Sequence, residues 1–181
     1  MSITYADQVK IERREATLQE ARAIASPLRL RILRLCLDTS LTNKQIAEAV
    51  GRDPASVLYH VRLLVRTGFL RAERERRGTR GAREVPYRAT GKSWNMDIVD
   101  ERQGRATTAA LVEAFIEDAR RVGPENVEAS RLGLRLTPAE YEELKARLAD
   151  LLQDYASRES DGEPWSLFVG VHRDDRPVGS A

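Results

Sequence analysis

RDPASVLYHVRLLVRTG, residues Arg52 to Gly68, carries four signals in order. Asp53 before Pro54 reads as a helix start, because the carboxylate can accept from the first turn and proline has no N–H to waste there. At about 100° per residue, Val57, Val61 and Leu64 fall together, with His60 and Val65 at the edges of that stripe. Ala55, Tyr59, Arg62 and Arg66 point the other way, and Ser56 lies to one side near the N-terminal end. Gly68 marks the stop. Any surface helix is polar outside, so the flanking sequence has to decide what this one is for.

On the N-terminal side, TSLTNKQIAEAVG (39–51) places Thr42 and Gln45 at capping-box spacing, Ile46, Ala47 and Val50 on an inner face, and Gly51 at the end. Two short helices joined by a glycine-containing turn make a helix-turn-helix candidate. Earlier, LQEARAIA reads as a short helix from Thr17, and Ser26-Pro27 starts another. In LRLRILRLCLD, Leu28, Ile32, Leu35 and Cys36 share one face, with Arg29, Arg31 and Arg34 forming a basic exterior.

On the C-terminal side comes FLRAERERRGTRGAREVPYRAT (69–90). Segments Phe69 to Arg76 and Arg83 to Thr90 flank RGTRGA, whose glycines suit a hairpin tip. From Arg62 to Lys92 there are ten basic residues and three acidic ones. Arg76, Arg77, Arg80 and Arg83 crowd the tip, where they repel one another unless a polyanion receives them. A helix-turn-helix followed by a basic hairpin predicts a winged helix.

The totals agree with a helix-rich chain: 181 residues, 41% hydrophobic, 32% charged and 6% aromatic. The net charge of +2 conceals an asymmetry. Residues 1–100 hold 19 basic and 12 acidic residues, a net +7, whereas residues 101–181 hold 11 and 16, a net −5. The front half is therefore the part suited to a polyanion. No apolar run approaches the roughly 20 residues of a membrane span, and MSITYADQVKIERRE lacks the apolar core of a secretory signal, so a cytoplasmic location is expected. The single Cys36 excludes an intrachain disulfide and fits a reducing compartment.

These residues carry a family resemblance. IASPLRLRILRLCLD, then LTNKQIAEAVGRDPASVLYHVRLLVRTGFLRAERE, then YRAT, keep the order and spacing of the winged helix-turn-helix domains of the arsenic-repressor (ArsR-like) class of bacterial transcription regulators. The likeness spans roughly Leu18 to Trp94. Members often carry Ser-x-His-Leu in the second helix, where this chain has Leu58-Tyr59-His60-Val61, so a base preference is not carried over; His60 is read first as helix-packing or phosphate-contacting, with base reading the lesser alternative. The resemblance implies a homodimer on a palindromic operator in double-stranded DNA, with repression the commoner mode. Arg62, Arg66 and the wing arginines Arg76, Arg77, Arg80 and Arg83 would meet phosphates, and Ser56 and Tyr59 the base edges. Asp53 is read as a cap. Metal-sensing relatives place paired cysteines in the first motif helix or carboxylate and histidine ligands on a terminal helix. TNKQIAEAV has no cysteine, Cys36 stands alone on an apolar face, and His60 and His172 fall in different predicted domains, so no metal or cofactor is expected.

After Asn95 the character changes. Arg105 to Val122 offers Leu111, Val112, Phe115, Ile116 and Ala119 on one helical face. Leu132, Leu134 and Leu136 alternate as a strand would, Thr137-Pro138 caps a helix bearing Tyr141, Leu144, Leu148, Leu151, Leu152 and Tyr155, and WSLFVGV reads as a closing strand. The expected fold is mainly α with a small β component: a polar segment 1–16, a winged helix over 17–94, and a helix-strand-helix-strand region over 95–181. That last region would serve dimerisation through Leu111, Val112, Phe115, Ile116, Leu144 and Leu148, effector sensing, or both. Self-association would cover the helical stripe economically; folding back on the winged domain is the alternative. There is no GxSxG, phosphate-binding glycine loop or HExxH, so an enzyme is not expected. Two rivals stay open: a winged helix used as a protein-docking module, and a small-molecule binder whose DNA contact is secondary.

Overall fold

In the computed structural model, residues 13–77, 83–158 and 160–175 are described. They form two compact units, divided after Pro124. The first contains α1 (Leu18–Ile24), α2 (Pro27–Leu35), α3 (Asn43–Val50), α4 (Pro54–Arg66) and α5 (Glu101–Val122). Its strands are β1 (Arg14–Glu15), β2 (Leu41–Thr42), β3 (Leu70–Ala72), β4 (Arg76–Arg77), β5 (Arg83–Glu84), β6 (Pro86–Ala89) and β7 (Met96–Asp97).

The helix starts follow the local chemistry. Asp53 accepts from the backbone N–H groups of Ala55 and Ser56, and Pro54 occupies the first turn of α4. Thr42 and Gln45 close a reciprocal box at α3: the Gln45 N–H donates to Thr42 Oγ1 at 3.3 Å and the Thr42 N–H to Gln45 Oε1 at 2.9 Å. Thr42→Ala opens that box and should cost about 1 kcal/mol in urea unfolding; an unchanged midpoint would show that the tertiary contacts of α3 already hold its first turn. Gly51 ends α3 at φ 65°, in the left-handed region where a Cβ would be strained.

The core of the first unit is built from the inner faces of these helices. Ile32 and Cys36 of the α2 end, Ile46 of α3, and Val57, Val61 and Leu64 of α4 are fully buried with Phe69 and Leu70 of the following turn. Burial pushes the Cys36 thiol up to about 11, so it behaves as a small core hydrophobe. Two arginines expected on the outside of α2 are used within the fold instead. Arg29 donates to the carbonyls of Arg22 and Ala23 at the end of α1, while Arg31 pairs with Asp118 of α5 at 3.1 Å and donates to the Ala49 carbonyl of α3.

The expected hairpin is present but divided. β6 is the middle strand of an antiparallel sheet in the order β2-β6-β3, with Leu41 opposite Tyr87 and Leu70 opposite Ala89. The ladder breaks at residues 73–75, where Glu73 accepts from Ser40 Oγ at 2.6 Å. It resumes as β4 and β5, pairing Arg76 with Glu84. The described end of the polar N-terminal segment is paired, since β1 runs parallel to β7 and the Ala16 N–H donates to the Asp97 carbonyl.

α5 begins four residues before the expected Arg105, because the Asp100 side chain caps it by accepting from the Gln103 N–H. It packs on α1 and α2, so the first unit extends past residue 94. The inward face is not the apolar stripe. Thr107 and Ala110 are buried, small enough for close helix approach, whereas Leu111, Val112 and Ile116 stay exposed and Phe115 is half-buried.

In the second unit α6 (Pro138–Ala156) starts from the expected cap, with Thr137 and Glu140 completing a box. The two strands expected around it are not formed. Residues 131–136 and 165–171 form no ladder among the described residues, and a strand is held by its neighbour's backbone, not by its own alternation. Their apolar side chains are open to solvent, Leu132 at 78% and Trp165 at 86%. Leu144 and Leu148 are half-buried, and no described residue of this unit is buried. Among the described residues no helix is long and apolar enough to cross a membrane.

Candidate nucleic-acid interface

The face of α4 opposite its buried stripe is the candidate site. Tyr59 is 66% exposed, and Ser56, Arg62 and Arg66 are exposed with it. Arg62 and Arg66 have no carboxylate partner among the described residues. The packing of α4 on α3 sets where this face lies. At the start of both helices the Asn43 Nδ2 group donates to the Pro54 carbonyl at 2.8 Å, which locks the two N-terminal ends together. Nothing in the sequence local to Asn43 marks a partner eleven positions on.

His60 sits at the stripe's edge, half-buried, with its ring edge-on to Tyr59 at 5.4 Å between centroids. Its Nδ1 is buried without a protein partner. Burial lowers its pKa below the ordinary 6.5, and the nearby Arg29 and Arg52 lower it further. The imidazole is therefore neutral at neutral pH.

The wing carries the rest of the charge. Arg77 is exposed and unpaired among the described residues. Arg76 Nε lies 3.9 Å from Glu84 and Arg83 Nε 3.7 Å from Glu75, with the Arg83 side chain 85% exposed. Charge-assisted hydrogen bonds are about 2.7–2.9 Å long, so these guanidinium groups are near carboxylates without being tied up by them. Arg76 Nη2 also stands 3.5 Å from Gln45 Oε1, which brings the wing root beside the first turn of α3. Exposed Lys44, in that same turn, was not among the expected contacts. Arg80 lies outside the described residues.

A family model for a helix-turn-helix domain matches residues 24–73. Over these residues the chain is similar to a helix-turn-helix domain. With β3 and β6 forming a wing beside them, the matched residues have the winged helix-turn-helix arrangement expected from the sequence. No curated protein sequence matches the chain. Several solved structures do. Reduced HlyU from Vibrio cholerae is 18% identical over 58% of this chain and 85% of its own, with a TM-score of 0.36. The homodimeric winged helix-turn-helix DNA-binding domain of Mb0332 from Mycobacterium bovis, a possible ArsR-family transcriptional regulator, is 21% identical over 64% and 85%, with a TM-score of 0.37. A mutant of MepR from S. aureus is 19% identical over 71% and 76%, with a TM-score of 0.31.

Within the helix-turn-helix domain, α3 is the first helix of the motif and α4 the second. Residues 24–73 include every expected contact on α4 but stop short of the wing arginines, which follow in the next few positions.

Proposed function

We propose that the chain is a transcriptional regulator that binds duplex DNA as a homodimer, inserting α4 into the major groove and laying the wing along the backbone. The observation that carries this reading is the set of exposed guanidinium groups on α4 and the wing: among the described residues Arg62, Arg66 and Arg77 have no carboxylate partner, and Arg76 and Arg83 are only loosely paired. Such groups repel each other in the free protein and are relieved by phosphates. Ser56 and Tyr59, on the N-terminal half of α4, are placed to meet base edges. A palindromic operator fits two such helices about 34 Å apart, and obstruction of transcription is the proposed mode.

The test is binding to random-sequence duplex across a salt series. Log affinity should fall linearly and steeply with log salt. A salt-insensitive or undetectable interaction would favour the protein-docking alternative. On the cognate site, Tyr59→Ala should reduce the preference over random duplex by about tenfold, the worth of one good base contact, while sparing random-duplex binding. Equal loss on both would remove its base-reading role.

For the dimer, the exposed Leu111, Val112 and Ile116 with half-buried Phe115 on α5 form the proposed contact, and Leu144 and Leu148 on α6 a second one. Ile116→Ala should weaken self-association about tenfold or more in sedimentation equilibrium, from the apolar area no longer buried. An unchanged association constant would place the interface elsewhere.

A further inference from the structure

Lys92 belongs to the basic run counted from the sequence, yet its ammonium group points into the protein. Nζ donates to the carbonyl of Thr67 at 2.6 Å, pairs with Glu20 of α1 at 2.5 Å and lies 5.2 Å from the centre of the Phe69 ring. Thr67 is the C-cap of α4, where unsatisfied carbonyls form the negative end of the helix. Glu20 is largely buried, its side chain 10% exposed, and also accepts from Arg14 Nη2 at 2.7 Å, Arg14 Nη1 at 3.0 Å and the Thr17 N–H at 2.8 Å.

Other struts converge on the same place. Thr90, which follows β6, donates through Oγ1 to the Gly68 carbonyl at 2.8 Å and through its N–H to the Phe69 carbonyl at 3.0 Å. Arg13 pairs with Asp97 at 2.7 Å beside the β1–β7 pair. Gly68 has φ 76°, and a Cβ there would stand 3.1 Å from Lys92 Nζ, so the glycine serves both the turn and the approach of the ammonium. α1, which supplies Glu20, packs directly on α5.

We propose that Lys92 is a positioning residue for DNA binding: with Glu20 and Arg14 it ties the C-terminal end of α4 and the root of the wing to α1, and through α1 to α5. This rests on the DNA-binding reading above. Lys92 contacts no phosphate in this arrangement; it sets the angle at which the arginines of α4 and the wing arrive together. A second helix C-terminus with an exposed lysine would only be capped. Here the same ammonium also holds a buried carboxylate on another helix, so loosening one end loosens the other.

The test compares wild type with Lys92→Met and Lys92→Arg on random-sequence duplex over a salt series, at a temperature where circular dichroism shows each protein folded. Lys92→Met should bind about tenfold more weakly, the worth of one charge-assisted hydrogen bond, with the wild-type salt slope kept. Lys92→Arg, which can still donate to both Thr67 and Glu20, should recover most of the affinity. A slope lower by about 0.9 in Lys92→Met would mean that the lysine touches a phosphate directly, and unchanged affinity would mean that the junction does not position α4; either overturns the proposal. If Lys92→Met alone fails to fold, Glu20→Gln with Lys92→Met removes both charges together and is read the same way. Failure of the wild type to bind duplex would instead sink the DNA reading, leaving the two failures distinguishable.

Discussion

Glu20→Ala is expected to destabilise the first unit by about 3 kcal/mol, the low end of the cost of removing one partner from a buried ion pair. The low end applies because Lys92 and Arg14 keep some access to water after the carboxylate is gone. The loss also opens the capping box of α1, where the Thr17 N–H donates to the same carboxylate. A shift of this size corresponds to a melting temperature lower by roughly 10 °C for a unit of this length. The pH dependence has a definite sign. Arg14 first, then Lys92 and Thr17, hold the Glu20 carboxyl well below its ordinary value of 4.5. Its contribution is therefore complete above that value and fades as the pH falls below it. Thermal melts of wild type and variant should differ most near pH 7 and draw together only as the pH falls well below 4.5, towards the depressed value of the carboxyl in the folded protein. Equal melting temperatures near neutrality would show that the network contributes nothing to stability.

Replacing Arg62, Arg66 and Arg77 together by alanine should lower the slope of log affinity against log salt by about 2.7, and the affinity at about 0.1 M salt roughly 100- to 1,000-fold. These three are chosen because each is exposed and unpaired among the described residues, so each is free to exchange a counterion for a phosphate. For the same reason their removal should leave the folding midpoint nearly unchanged. Fluorescence anisotropy with a labelled random duplex reads both quantities. A slope unaltered by the triple substitution would remove α4 and the wing from the interface. By contrast Arg29 and Arg31, equally basic in the sequence, hold the ends of α1, α3 and α5 and are structural.

That contrast marks how far the sequence could be read. Charge counting puts Arg31, Arg62 and Lys92 in one class, because each is a cation on or near an amphipathic helix. Which of them faces a carboxylate from a distant element is a property of packing: Asp118 lies 87 positions from Arg31, and Glu20 lies 72 positions before Lys92. The same reason explains α5. Its broad apolar stripe was the obvious face to bury, yet close packing on α1 and α2 selects the small side chains Thr107 and Ala110, leaving the large ones outside.

What the amino-acid order determined by itself is local: the caps at Thr42 and Asp53, the left-handed stop at Gly51, and the apolar triplet Val57, Val61 and Leu64 on one helical face, which together specify the helix-turn-helix. Each of these is settled within about four residues, the range over which a backbone donor or a helical turn meets its partner. Only the tertiary structure decided which cations stay clear of the carboxylates among the described residues, that β1 pairs with β7, and that the alternating segments 131–136 and 165–171 form no ladder there. Pairing and burial depend on what another part of the molecule brings alongside, and alternation along one segment does not contain that information.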